Sequence, residues 1–162
     1  MTFVALDTVS IDKDENNAEE MIRRMDDALE NAGDDWKLVF GHYPICSGGH
    51  YSGTEDVEEK ILPIMKKHKV DFYVSGHDHN LQHWTKMFNP GDIEHITTGG
   101  GGRSEYSMNG HNVRKNEEKG MKLEFFHESY GFAYFVVRRD KIYGQFVNSY
   151  GQVINQFRRN KL

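Results

Sequence analysis

The chain has 162 residues, which suits one domain with a sizeable core and leaves little room for two. Its formal net charge of −5, from 25 acidic and 20 basic residues, gives no electrostatic footprint for nucleic acid, and no polybasic run suggests a membrane surface. Aromatic residues at 12% argue against disorder, the single Cys46 excludes an internal disulfide framework, and no stretch approaches the roughly 20 apolar residues of a spanning helix.

From the N-terminus, the first ten residues lack a basic segment and their apolar run breaks at Asp7, so they do not read as a signal peptide. Phe3-Val4-Ala5-Leu6 reads as a strand. Residues 14–32 follow as a helix, because Ala18, Met21, Ile22, Met25, Ala28 and Leu29 recur at three- and four-residue steps, and Gly33 stops it. Trp36-Lys37-Leu38-Val39-Phe40 is the next strand and runs into Gly41-His42-Tyr43-Pro44, followed by a Gly/Ser-rich loop over 46–53. A second helix starts with Thr54 as its predicted N-cap. Glu55 and Asp56 at its start and Lys66, Lys67 and His68 at its end complement the helix dipole, while Pro63 inside it predicts a kink or a split. Asp71-Phe72-Tyr73-Val74-Ser75 is a third strand, ending at Gly76-His77-Asp78-His79-Asn80. Residues 1–80 thus read β-α-β-α-β, the pattern of a parallel sheet with helices on its faces.

The second half changes character. Short apolar or alternating runs near 83–88, 93–98, 121–126, 132–138, 141–148 and 152–158 predict antiparallel strands, with hairpin turns at Asp140-Lys141 and Ser149-Tyr150-Gly151. The four glycines 99–102 suit a tight backbone passage and match no phosphate-loop or dinucleotide signature. Residues 103–120 are polar and read as an irregular surface excursion.

Both Gly-His motifs sit where a strand ends, and ligands of open α/β sheets bind beyond the carboxyl ends of strands. Neutral imidazole is the commonest metal-ligating side chain, so His42, His77 and His79 are candidate metal ligands. Three histidines alone suffice for a mononuclear site, whereas a two-metal site needs bridging carboxylates as well. Asp7, also at a strand end, reads more simply as a structural partner. Met21 and Met25 read as core fillers, Cys46 as a small buried or loop residue, and His68, His83, His95, His111 and His127 as surface or structural histidines.

Gly41-His42-Tyr43-Pro44 followed at a distance by Gly76-His77-Asp78-His79-Asn80 resembles the last two signature blocks of the calcineurin-like metallophosphoesterases. The pattern is most similar to purple acid phosphatases of the tartrate-resistant type. Leu6-Asp7-Thr8-Val9, Pro63, Asn80-Leu81-Gln82 and Gly131-Phe132-Ala133-Tyr134 extend the likeness over nearly the whole chain. The resemblance implies an α/β fold, the C-terminal half of a metallophosphoesterase α/β/β/α sandwich, in which two sheets pack face to face under outer helices. It implies a binuclear centre of Fe plus Fe, Zn or Mn, with His42 and His77 on the divalent metal and His79 on the ferric ion. It also implies hydrolysis of phosphate monoesters by a metal-bound hydroxide. His50 is the candidate for binding phosphate or protonating the leaving group, although it lies one residue short of the family spacing from His42. Relatives of this kind are typically secretory, lysosomal or vacuolar.

The family's N-terminal blocks, which supply the bridging Asp, the tyrosinate and the Asn ligand, have no counterpart here. Residues 1–162 are therefore expected to be the C-terminal portion of such a domain, partnered by a phosphomonoester substrate and by the missing N-terminal half. One sheet edge and part of the sandwich interior should then lie exposed. The competing expectation is a catalytically incomplete, phosphatase-like scaffold, or a truncated fragment with no activity alone. A weaker one is another activity of the superfamily, such as phosphodiester hydrolysis.

Overall fold

The structure, a computed structural model, describes residues 1–88 and 91–161. The chain opens with β1 (Thr2–Leu6), α1 (Thr8–Lys13), α2 (Glu15–Glu30), β2 (Lys37–Gly41), α3 (Glu55–Lys67) and β3 (Phe72–Ser75). It continues with β4 (Leu81–Lys86), β5 (Ile93–Thr98), α4 (Gly110–Glu118), β6 (Met121–His127), β7 (Gly131–Val137), β8 (Lys141–Asn148) and β9 (Val153–Asn160). The six-stranded sheet has the order β1-β2-β3-β5-β4-β6, and β7-β8-β9 form a second, antiparallel sheet.

Strands buried on both faces read as continuous apolar runs, and β2 shows why. Val39 turns to one side, into a core with Val4, Leu6, Ile11, Met25, Leu29, Ile61 and Met65, residues of β1 and of the helices α1, α2 and α3. Leu38 turns to the other, where Trp36, Phe72, Leu81 and Ile96 meet Ile142 and Phe146 of the second sheet. The two sheets therefore face each other across an apolar layer, as expected. Helices cover the far side of the first sheet, while Phe132, Tyr134 and Tyr143 on the far side of the second remain exposed. At the open edge of the first sheet, Phe3 is 63% exposed and its neighbour Phe40 41% exposed, so apolar surface of the sandwich interior is bare there.

Four expectations need correction. Residues 8–13 form an extra helix, α1, because Asp7 accepts hydrogen bonds from the Val9 and Ser10 amides and caps it. Pro63 does not split α3, which runs on to Lys67, while Thr54 stands at the N-cap as expected, without a side-chain bond. Strand β5 pairs antiparallel with β4 but parallel with β3, so the parallel part of the sheet holds four strands, β1, β2, β3 and β5.

The last correction is the largest. The supposed surface excursion contains α4, whose buried face is made of Asn112 and Asn116. Asn109 caps this helix by accepting from the His111 and Asn112 amides. Asn109→Ala is expected to reduce stability by about 1 kcal/mol, measured as a lower urea midpoint.

Candidate functional site

Strands β2 and β3 are adjacent and parallel, so their carboxyl ends emerge side by side. Each delivers a histidine corner. The Gly76 amide donates to the His42 carbonyl at 3.1 Å, and the Tyr73 hydroxyl donates to the Tyr43 carbonyl at 2.6 Å, tying one corner to the other. Thr8 of α1, fully buried, accepts from the Tyr43 amide at 2.8 Å. A Cβ on Gly41 would come within 2.4 Å of the Thr8 methyl, so only glycine lets α1 and the His42 corner pack this closely.

The corners bring His42 and His77 into contact, with His77 Nδ1 3.1 Å from His42 Nε2. His77 has φ 66°, a left-handed conformation that an L-residue adopts at a cost. Burial, reinforced by the neighbouring imidazoles of His42, His79 and His50, holds its pKa below the ordinary histidine value. It is thus biased toward the neutral form, the one that offers a lone pair to a metal.

His79 stands apart from this pair. Its Nδ1 donates to the Ser104 carbonyl at 2.9 Å, which leaves Nε2 as the free nitrogen. Tyr106 stacks on the His79 ring at 4.3 Å between centroids, and Tyr51 stacks on the His77 ring at 4.2 Å. His50 lies against both tyrosines, 4.7 Å from the Tyr51 ring and 4.9 Å from the Tyr106 ring. The four histidines singled out in sequence therefore gather at one rim, with two in contact and two separated by aromatic rings.

Asp78, between the two motif histidines, turns inward and is fully buried. It accepts from the Ser47 hydroxyl and from the His50 and Tyr51 amides, pinning the 46–53 loop against the 77–79 corner. Burial raises its pKa against the opposing effect of those bonds. Neither Asp78 nor Tyr106 was singled out as a functional candidate in sequence. The place of Asp78 between two candidate ligands was the available signal for the first, and nothing local marked the second.

The remaining histidines take structural roles where the structure gives them partners. His68 bonds Asp26, and His83 bonds Glu94. His95 is buried between Cys46 and Ser75, and its burial pushes its pKa down to about 3. Burial also pushes the Cys46 thiol up, which makes it a poor nucleophile.

The donor set can be tested against a metal. Two nitrogens each bonded to one ion at about 2.0–2.1 Å lie roughly 3.0–3.4 Å apart, and the His42–His77 separation falls in that range. Among the described residues, however, no three His, Cys, Asp or Glu side chains converge on one point, and Asp78 is committed to the 46–53 loop. The residues present fit a pair of nitrogens on one ion, and among the described residues neither a third ligand nor a bridging carboxylate joins them.

Residues 4–81 match the calcineurin-like phosphoesterase family. Purple acid phosphatase 3 of Arabidopsis thaliana is 31% identical over 139 residues, covering 86% of this chain and 36% of that protein. Tartrate-resistant acid phosphatase type 5 of Sus scrofa is 44% identical over 55 residues, or 34% of this chain and 16% of that one. Among solved structures, GAP50, described as the anchor in the inner membrane complex of Plasmodium, superimposes with a TM-score of 0.78 at 26% identity, over 99% of this chain and 49% of that chain. The chain spans about a third of the length of the plant phosphatase that it matches.

Proposed function

The chain belongs to the calcineurin-like phosphoesterases, and on that footing we propose that it is the C-terminal, histidine-bearing portion of an acid phosphatase domain that hydrolyses phosphate monoesters. The observation that carries this reading is the meeting of His42 and His77 from two strand ends at the spacing of two ligands on one ion. In this reading His42 and His77 hold the divalent metal, Fe, Zn or Mn, and His79 offers Nε2 to a ferric ion. Such a pair of metals lowers the pKa of water and offsets charge on phosphoryl oxygens. In the same reading His50, exposed beside Tyr51 and Tyr106, donates a proton to a leaving oxygen or holds a phosphate. In this reading the bridging carboxylates are supplied by an N-terminal half of the domain and not by residues 1–162.

A second reading has its own support. A protein named as an anchor shares this fold, and no carboxylate among the described residues completes a metal cluster. In that reading the chain is a scaffold that keeps the histidine corners without turnover.

Metal analysis and hydrolysis of a chromogenic aryl phosphate separate the two, using the 162-residue chain alone and together with the N-terminal half of a purple acid phosphatase. The phosphatase reading expects iron and a second metal to bind, with turnover and binding both lost in His42→Ala and His79→Ala. A chain that binds no metal in either setting, with both variants indistinguishable from the parent, belongs to the scaffold reading.

A further inference from the structure

Residues 104–116 lie within the stretch 103–120 that the sequence suggests is irregular, yet their contacts converge on the histidine rim. At the near end, the Ser104 carbonyl accepts from His79 Nδ1 at 2.9 Å. The Tyr106 amide donates to the His79 carbonyl at 3.0 Å, the Asn80 amide group donates to the Tyr106 carbonyl at 3.1 Å, and the Tyr106 ring stacks on the His79 ring. One short loop thus grips His79 through its backbone, its ring nitrogen and its ring face. The Asn109 amide then donates to the Gly48 carbonyl at 2.7 Å and leads into α4.

At the far end, α4 holds the loop that carries His50. Asn116 is only 2% exposed, and its Nδ2 donates to the carbonyls of Ser47 at 2.9 Å and Ser52 at 2.8 Å, the two shoulders of the loop. Asn112, one turn earlier, donates to the Gly49 carbonyl at 2.9 Å and faces the His50 carbonyl at 3.4 Å. A glycine- and serine-rich loop has few ways to order itself. Here two buried amide side chains at i, i+4 spacing on one helix face donate to its carbonyls. Asp78 closes the circuit from the opposite side through the His50 and Tyr51 amides.

We propose that residues 104–116 are the positioning element of the imidazole cluster, with Asn116 and Tyr106 as its principal residues. Asn116 sets the 47–52 loop, and through it His50, against the 77–79 corner. Tyr106 and the Ser104 carbonyl fix the His79 ring so that Nε2 is the nitrogen presented. As a statement about metal or substrate chemistry this rests on the phosphatase reading above; as a statement about which residues order the imidazoles it does not. Neither Asn116 nor Tyr106 is assigned a bond to a metal or to a reacting atom, so both act through the histidines they hold. A hydrogen bond to the far nitrogen of a ligating histidine fixes its tautomer and orientation, and loss of such support lowers metal affinity by about 10–100-fold.

The test reads the imidazoles directly. Long-range proton–nitrogen NMR of the histidine-labelled chain reports the tautomer of each ring. The parent is expected to show His79 as one fixed tautomer protonated on Nδ1. Asn116→Leu keeps the side-chain shape and removes the donors, and Tyr106→Leu removes the stacked ring. In both, His79 or His50 is expected to move to averaged tautomers, while His68 and His83, whose partners Asp26 and Glu94 lie in other elements, stay as they were. Unchanged His50 and His79 signals in both variants overturn the proposal. If Asn116→Leu also disturbs His68 and His83, the chain has lost its fold, and Tyr106→Leu decides alone by the same criterion. Zinc titration of the same samples keeps the two readings apart. A parent that binds zinc, with variants weaker by about tenfold or more, supports both. A parent that binds none removes the metal reading and leaves the tautomer result to decide this one.

Discussion

Replacing Arg159 with methionine is expected to lower the unfolding free energy by about 3–5 kcal/mol at neutral pH, read from urea unfolding. Arg159 reaches from β9 across the sandwich to Asp71 at 3.4 Å, to Glu94 at 3.2 Å and to the Asp92 carbonyl at 2.6 Å. Its side chain and both carboxylates are largely buried. Methionine fills much the same volume but leaves Asp71 with the Lys37 amide and Glu94 with His83 and Thr85, without the guanidinium that offsets both buried charges, and breaking a buried ion pair is among the costlier defects a fold can carry.

The pH dependence has a definite sign. Burial would raise the pKa of Glu94, but the His83 bond and the nearby Arg159 outweigh it and hold that carboxyl below its ordinary range. Its contribution is present above the unfolded pKa and lost as pH falls through the folded one. Asp71 runs the other way. Burial wins there over the Lys37 amide and Arg159, the pKa is raised, and its contribution is fullest in acid and lost as pH rises through the folded value. Removing the cation raises both folded pKa values. The deficit of the methionine variant should therefore be full at neutral pH and narrow as acid protonates the two carboxyls. A deficit that widens on acidification would mean that Arg159 does not favour the ionised form of these carboxyls.

Gly99→Ala is expected to dismantle the histidine corner. A Cβ at this position would lie 1.8 Å from the Asp78 carbonyl oxygen and 2.8 Å from its carbon, and both atoms are backbone. No rotamer change relieves such a contact, so the 77–79 turn must move. The Gly99 amide also donates to the Asn80 carbonyl at 3.1 Å, which holds the two segments face to face. Overpacking of this kind costs about 1–3 kcal/mol, and more where backbone must shift. Loss of stability by thermal melting should be accompanied by altered His77 and His79 resonances. Gly101→Ala is the control, because nothing lies within 4 Å of its added Cβ. An alanine at Gly99 that melts like the parent and leaves both histidine signals in place would show that the corner tolerates displacement.

Much of the fold was legible because its strands announce themselves locally. Phe3-Val4-Ala5-Leu6, Leu38-Val39-Phe40 and Phe72-Tyr73-Val74 are apolar on both faces, and the hairpin turns at 140 and 149–151 fall where expected. The meeting of His42 and His77 was legible for the same reason, since adjacent parallel strands place their ends together. Helix α1 was missed because Thr8, Val9 and Ile11 are β-branched, and the determining event is a single cap by Asp7. Helix α4 was missed because its buried face is Asn112 and Asn116 with only Val113 as an apolar neighbour, which leaves hydrophobic periodicity nothing to register. The insertion of β5 between β3 and β4, and the approach of Ser104 to His79, depend on contacts between distant segments that no local pattern encodes.

The backbone at His77 bears on what that residue is for. Glycine would occupy φ 66° freely, whereas an L-residue there forgoes about 1 kcal/mol or more. A chain selected for robustness alone would be expected to drop the side chain and keep the bend. In the phosphatase reading, the ring kept at this bend is what the corner presents to a metal, and the imidazole offsets the strain that a hydrogen atom would have spared.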